Sequence, residues 1–481
     1  MKKNKREFPK NFLWGGAIAA NQSEGAYDVG EKGLNVSDIN EYVSDIPPEE
    51  RMEGEITSEF IKKAVKQIND GKIQSFPKLR GIDFYHTYKD DLKLLKELGL
   101  NTFRTSINWS RIFPNGIEEE PNEAGLKFYD QLFDEILANG MEPMITLSHY
   151  EMPIYLTTHY QGWYSREVTN HFVKYCKAVL ERYKDKVKYW IVVNQINLIT
   201  YESFCNIGVT EDGVENLMEA KYQGLHNMMV ASAKVKEAAQ SINPDFEIGM
   251  MVFADKVYPA STKPEDALGT MLHAQMEYFF TDVLLRGKYP NYAFRFFEEQ
   301  GYDIKFYDGD EEALKNTADF LSFSYYYTNL VSKESNDNNR SILPNPNLEA
   351  SPWGWAVDPI GLRITLNDYY DRYQCPIYIT ENGIGAFDTL ESDGVHDDYR
   401  RYYYEEHLRQ VKEAIYDGVD VRGYYAWGPI DIVSCSSNEM SKRYGFIYVD
   451  IDDYGNGTKK RLKKDSFAWF QKTIQENGAR L

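Results

Sequence analysis

Residues 88–108 read YKDDLKLLKELGLNTFRTSIN, and residues 125–150 read GLKFYDQLFDEILANGMEPMITLSHY. Each begins with a helical pattern and ends in a short β-rich run. In the first, Leu92, Leu95 and Leu98 share one face, and Gly99 supplies a C-cap signal before the strand Thr102–Asn108. In the second, Asn139-Gly140 plays the same part before Pro143–Ser148. Working outward, further strand candidates are Phe12–Ala19, Tyr189–Val193, Glu247–Phe253, Phe320–Tyr325, Ile377–Thr380 and Gly423–Trp427. Helical patterns run between them at 166–183, 217–240, 271–287 and 399–418, and a last one covers 463–477. Eight strands, each followed by helix, predict an α/β fold, a (β/α)8 TIM barrel. A doubly wound sheet is the alternative, but no GxGxxG follows the first strand.

At 481 residues, domain-size averages would suggest about three domains. The composition is even, and no Pro, Gly or Ser-rich linker divides it, so residues 1–481 are expected to form a single barrel domain. The excess over about 250 residues then falls in long loops at the C-terminal face, such as Glu31–Arg80 and Ser332–Pro352. Apolar residues make up 42% and charged residues 27%, which excludes wholesale disorder. The net charge of −20 disfavours nucleic acid and anionic membrane as partners. An anionic small molecule would need a local positive pocket. Cys176, Cys205, Cys375 and Cys435 lack CxxC spacing and read as free thiols rather than a disulfide frame or a metal site. The start MKKNKREFPKNFLWGG has no apolar signal core, and no run of 18 apolar residues offers a span. A cytoplasmic location is expected.

In a TIM barrel, function lies at the C-terminal ends of the strands. Seven strand ends here carry polar or aromatic groups: Gln22 and Glu24; Arg104; His149 and Tyr150; Asn194, Gln195 and Asn197; Ser324, Tyr325 and Tyr326; Thr380, Glu381 and Asn382; Trp427 and Asp431. One such end is unremarkable as a solvated terminus. Seven on one rim, in a chain that is 15% aromatic, suit a polyhydroxylated ligand with stacking walls. Glycoside hydrolysis requires two carboxyl groups about the anomeric carbon. Glu381, in IYITENG, is the expected nucleophile, with Arg104 expected to keep it ionised. The partner position across the rim, in WIVVNQIN, holds Gln195, which cannot deliver a proton.

With these motifs the chain resembles the glycoside hydrolase family 1 β-glycosidases, from FPKNFLWGGAIAANQSEGAY to KRYGFIYVD. The resemblance implies that Glu381 is a retaining nucleophile bonded by Tyr326 and that Gln195 stands where the family has its acid/base Glu. It also implies that Asn194 binds the sugar 2-hydroxyl, that Gln22, His149 and Trp427 line the glycone site, and that Trp355 walls the aglycone. Ser434-Cys435 replace the family's usual Glu-Trp pair, and Lys442 and Tyr444 follow. Ser434, Lys442 and Tyr444 resemble the phosphate-binding set of the 6-phospho-β-glucosidase branch. That branch releases glucose 6-phosphate from imported 6-phospho-β-glucosides in bacterial cytoplasm. The expected substrate is a 6-phosphorylated β-glucoside, with no metal or organic cofactor. Two other glycosidase readings stand beside it, one for unphosphorylated glucosides and one for thioglucosides with Gln as the native residue. A phospho-sugar binding protein is the reading from another class. The oligomeric state, including a homo-oligomer, is left open.

Overall fold

Eight parallel strands close on themselves: β1 Leu13–Ala17, β2 Thr102–Ser106, β3 Glu142–Ser148, β4 Tyr189–Val193, β5 Glu247–Phe253, β6 Phe320–Tyr325, β7 Ile377–Asn382 and β8 Val421–Trp427. These come from a computed structural model that describes residues 7–47, 50, 56–200, 207–333 and 340–481. Each strand pairs with its sequence neighbours, and β1 closes the ring by pairing with both β2 and β8. The outer helices are α1 Phe84–Leu98, α2 Glu123–Ala138, α3 Arg166–Arg182, α4 Leu217–Ile242, α5 Pro264–Arg286, α6 Pro359–Tyr373, α7 Asp398–Asp417 and α8 Asp465–Gln475. Strands covered on both sides need apolar or internally satisfied residues throughout, and every residue of β6 and β7 is buried. At the end of α1, Gly99 takes the left-handed conformation (φ 99°) that lets its N–H cap the last turn.

The barrel interior is layered. Tyr189, Phe320, Tyr378 and Tyr425 pack across its lower part, with Tyr378 4.8 Å from Phe320 and 6.0 Å from Tyr189, ring to ring. Gly15 leaves room for Tyr425, whose ring would lie 2.3 Å from a Cβ at that position. Above this plug the interior turns polar, beginning with Arg104 of β2.

Three strand ends differ from the sequence expectation. β1 stops at Ala17 because Ala19 already stands at the N-cap position of the short helix Ala20–Ser23, and β2 stops at Ser106 because Asn108 stands at that of Trp109–Ile112. β7 instead runs past Thr380 through Glu381 and Asn382, with a bulge against β6 between Ile379 and Glu381. A bulge re-aims side chains. Here it lets two successive residues face the barrel axis: the Thr380 hydroxyl meets Met251 of β5, and Glu381 meets Arg104.

The expected long loops carry structure. Glu31–Arg80 contains the helix Ser58–Asn69, capped by the Thr57 hydroxyl, and the turn Pro77–Leu79. In Ser332–Pro352, Arg340–Leu343 pairs with Asn329–Lys333, which also pairs with Val257–Pro259. Among the described residues Cys176, Cys375 and Cys435 are free thiols, and Cys205 lies outside them. No helix among the described residues is long and apolar enough to cross a membrane.

Candidate active site

The C-terminal mouth of the barrel holds a cleft of about 710 Å³. Gln22, His149, Tyr150, Gln195, Tyr326, Trp355, Glu381, Trp427 and Tyr444 all line it. Its floor is organised by Arg104. The guanidinium donates to Glu381 Oε1 at 2.8 Å, Asn194 Oδ1 at 2.6 Å, Thr146 Oγ1 at 3.1 Å and the Thr380 carbonyl at 3.2 Å. Tyr326 donates to the other Glu381 oxygen at 2.8 Å. Both carboxylate oxygens are therefore held, one by a cation and one by a phenol. The expectation that Arg104 fixes the charge of Glu381 needs a correction of degree. Burial pushes Glu381 above its ordinary carboxyl value, and Arg104 and Tyr326 only partly reverse the push.

Across the cleft, Gln195 Oε1 accepts from the Tyr150 hydroxyl at 2.6 Å, and its Nε2 donates to Ser324 Oγ at 2.5 Å. Asn194 Nδ2 donates to the same Tyr150 oxygen at 3.1 Å, so the β3 and β4 ends are laced together. Tyr150 (φ 72°) and Gln195 (φ 41°) both occupy the left-handed region that non-glycine residues avoid. Such backbone persists only where its surroundings hold it, which is common at functional sites.

Gln22 Nε2 is spent on the Val433 carbonyl at 2.7 Å, while its buried Oε1 has no partner among the described residues. His149 stacks on Trp427 at 5.7 Å between ring centres, and its Nδ1 has no partner among the described residues. Burial, Arg104 and Lys78 push that imidazole well below its usual value, so it is neutral at physiological pH. Two uncommitted polar atoms beside an indole form the kind of surface that meets hydroxyl groups and sugar C–H faces.

The eighth-strand loop was expected to hold Ser434, Lys442 and Tyr444 together. Tyr444 lines the cleft, with its hydroxyl 3.3 Å from Ser434 Oγ, which also accepts from Ser437 Oγ at 2.8 Å. Ser434 and Lys442 are buried next to that wall, Ser434 against Tyr444 and Lys442 against Trp355, while Cys435 lines the cleft itself. The Lys442 ammonium lies 3.6 Å from the Trp355 ring centre and 5.0 Å from that of Trp353. Trp355, expected to wall the aglycone, thus also carries the cation expected for the opposite end of the ligand.

Other rim residues prove structural. Glu24 binds Arg111 and Tyr129 in the barrel wall. Asn197 exchanges two bonds with the backbone of Phe253, and Asn382 binds Tyr325, Tyr403 and Tyr424. Asp431 joins a buried ionic network in which Lys464 bridges it to Asp388 at 2.8 and 2.5 Å, and it accepts from the Gly445 N–H. It anchors the loop that carries Lys442 and Tyr444. Glu151 was not singled out from the sequence, although it sits in the SHYEMP run. It accepts from the His149 N–H at 2.5 Å, from Asn21 at 3.4 Å and from Ser106. Burial pushes it up to about 7 against those three donors.

An eight-stranded parallel barrel with a doubly held carboxylate at the end of β7 and an amide facing it across the mouth is the frame of a glycosidase. The model of Glycosyl hydrolase family 1 matches residues 4–479, and the chain belongs to that family. It is 47% identical to an aryl-phospho-β-D-glucosidase, BglH, of Bacillus subtilis (strain 168), over the full length of both chains. It is 49% identical to BglA of the same organism, also an aryl-phospho-β-D-glucosidase, over 98% of this chain and 99% of that one. Among solved structures, the family 1 β-glucosidase from Thermotoga maritima superposes with a TM-score of 0.83 at 28% identity, covering 98% of this chain and 99% of that one.

Proposed function

We propose that this glycosidase acts on 6-phospho-β-glucosides with retention, using Glu381 as nucleophile, and that Gln195 leaves this chain a slowed form of the enzyme. The Glu381 carboxylate attacks the anomeric carbon as the bond to the aglycone oxygen breaks, forming a glycosyl ester. Water then cleaves the ester and releases glucose 6-phosphate. A carboxyl at position 195 would give its proton to the departing oxygen and later take one from water. An amide does neither.

The observation that carries this reading is the unequal treatment of the two cleft walls. Glu381 has a cation and a phenol on its two oxygens, a surrounding built to hold a negative charge. A binding protein has no use for such a carboxylate at this position. The contacts of Gln195 also suit its isostere. Tyr150 donates to Oε1 either way, and Ser324, a hydroxyl, turns from acceptor to donor when Nε2 becomes an oxygen. This favours a Glu-shaped site occupied by Gln over a thioglucosidase reading.

The phosphate reading is supported by Ser434, Lys442 and Tyr444, a short hydroxyl, an ammonium and a phenol gathered on one loop. It is supported as well by the names of the Bacillus subtilis relatives. A cation there suits a dianionic ligand on a chain of net charge −20. A phosphorylated sugar does not cross a membrane unaided, so a cytoplasmic setting belongs to the same proposal.

The test is phenol release by the Gln195→Glu variant from an aryl β-glucoside and from its 6-phosphate, at matched concentration and low salt. Strong preference for the phosphate ester is expected. Preference for the plain glucoside would discard the phosphate site and keep the glycosidase. No release from either would leave only the binding-protein reading.

A further inference from the structure

The turn that presents Ser434 is gripped through its backbone on both sides. Before it, the Val433 carbonyl accepts from Gln22 Nε2 at 2.7 Å, and the Val433 N–H reaches back to the Gln22 carbonyl at 3.4 Å. After it, the Cys435 carbonyl accepts from Lys78 Nζ at 3.0 Å. Ser434's own N–H goes to the Glu439 carbonyl at 2.8 Å. Gln22 and Lys78 both come from the segment that leaves β1. The turn Pro77–Leu79 is tied to that strand's end, since Ile82 N donates to the Ser23 carbonyl at 3.0 Å and Tyr85 N to that of Glu24 at 3.1 Å.

Lys78 is an unusual residue to find here. It is 2% exposed and bonds a carbonyl 357 positions away, while Gly71, Lys72 and Gln74 earlier on the same loop are exposed. Burying an ammonium is costly unless it is well paired, and a solvated lysine elsewhere on the loop would avoid the cost. Its charge also bears on His149, which lines the cleft. It does not itself line the cleft.

We propose that Lys78 is a positioning residue for phosphate recognition: by holding the Cys435 carbonyl it sets the turn that carries Ser434 against Tyr444 of the cleft wall, where the phosphoryl group docks, and its buried charge adds to the attraction for that dianion. The inference rests on the phosphate reading above and adds to it a residue from the opposite side of the barrel's chain order. Lys78 thereby acts on phosphate selectivity through Ser434, with Gln22 as the matching grip on the other side.

Binding of phenyl β-glucoside and of its 6-phosphate to the intact chain, measured by calorimetry, tests the idea with Lys78→Met and Lys78→Arg beside the parent. For Lys78→Met, the preference for the phosphorylated ligand should fall about tenfold, because the turn loses its grip and the dianion loses a nearby cation. Lys78→Arg, which retains the cation and a donor, should recover most of it. Thermal melting of both variants shows whether they are folded. A merely structural lysine would weaken both ligands alike or neither, and either result overturns the proposal, as does an arginine variant no better than the methionine one. A parent that binds the two ligands equally would overturn the phosphate reading itself, and this inference with it.

Discussion

The two walls of the cleft come from facing parts of one barrel, β7 and β4, but treat their central residue in opposite ways. On the β7 side, Glu381 is bonded on both oxygens by groups that favour its charge, over a floor ordered by one buried arginine. On the β4 side, Gln195 sits among hydroxyls that adapt to either an amide or a carboxyl, on backbone held in a disfavoured conformation. The first wall is specialised for an anion. The second is specialised for a position, and the chemistry there depends on which side chain occupies it.

The largest effect that would sharpen this contrast is a gain. Gln195→Glu should raise turnover by about 10²–10⁴-fold, more for alkyl or sugar leaving groups than for acidic phenols. Equal gains for both leaving-group classes would break the assignment of position 195 to proton transfer. Next comes the phosphate loop. In the Gln195→Glu background, Lys442→Met should lower the preference for the 6-phosphate by about 10–100-fold in kcat/KM ratios. A ratio that does not move would leave Lys442 as a packing partner of Trp355.

A smaller effect probes the β7 wall. Tyr326→Phe removes one donor that holds Glu381 ionised, so its carboxyl rises further. If Glu381 is the nucleophile, the acidic limb of the kcat/KM profile in the Gln195→Glu background should then move to higher pH, because a carboxyl must lose its proton to attack. A shift to lower pH would contradict the role given to this phenol. The smallest effect concerns Glu151, which supports the other wall through His149. Its folded value of about 7 lies above the ordinary 4.5, so the folded chain binds the extra proton between those values. That contribution favours folding below about 4.5 and is lost as pH rises through about 7. Glu151→Gln should flatten the fall of Tm between pH 5 and 8, whatever its absolute stability. An unchanged slope would mean that other groups carry it.

Much of this was legible in the residues. Parallel barrel strands are buried on both faces and read as short β-rich runs, so β4, β5 and β6 fall where the sequence puts them, and the capping glycine of α1 is visible in it. The helix α6 was missed. It opens on an Asp358 cap and a proline, but PIGLRITLNDYYDRY lacks the leucine stripe that marks α1. At the rim, the sequence places polar residues at strand ends without saying which way they face. Asp431, Asn197 and Glu24 look like ligands for that reason, yet each is spent on holding loops and strands. Lys78 is the converse case. Its value lies in a contact 357 residues away, which no local pattern announces.

On the mechanism proposed above, Glu381 is a working nucleophile beside a disabled proton donor. This is tested most directly by incubating the chain, with Gln195 in place, with an aryl 6-phospho-β-glucoside of an acidic phenol and weighing the protein. One equivalent of phenol released in a burst, with a 6-phosphoglucosyl group found on the peptide that carries Glu381, is the predicted result. Release without an adduct, or an adduct on any other residue, would contradict it.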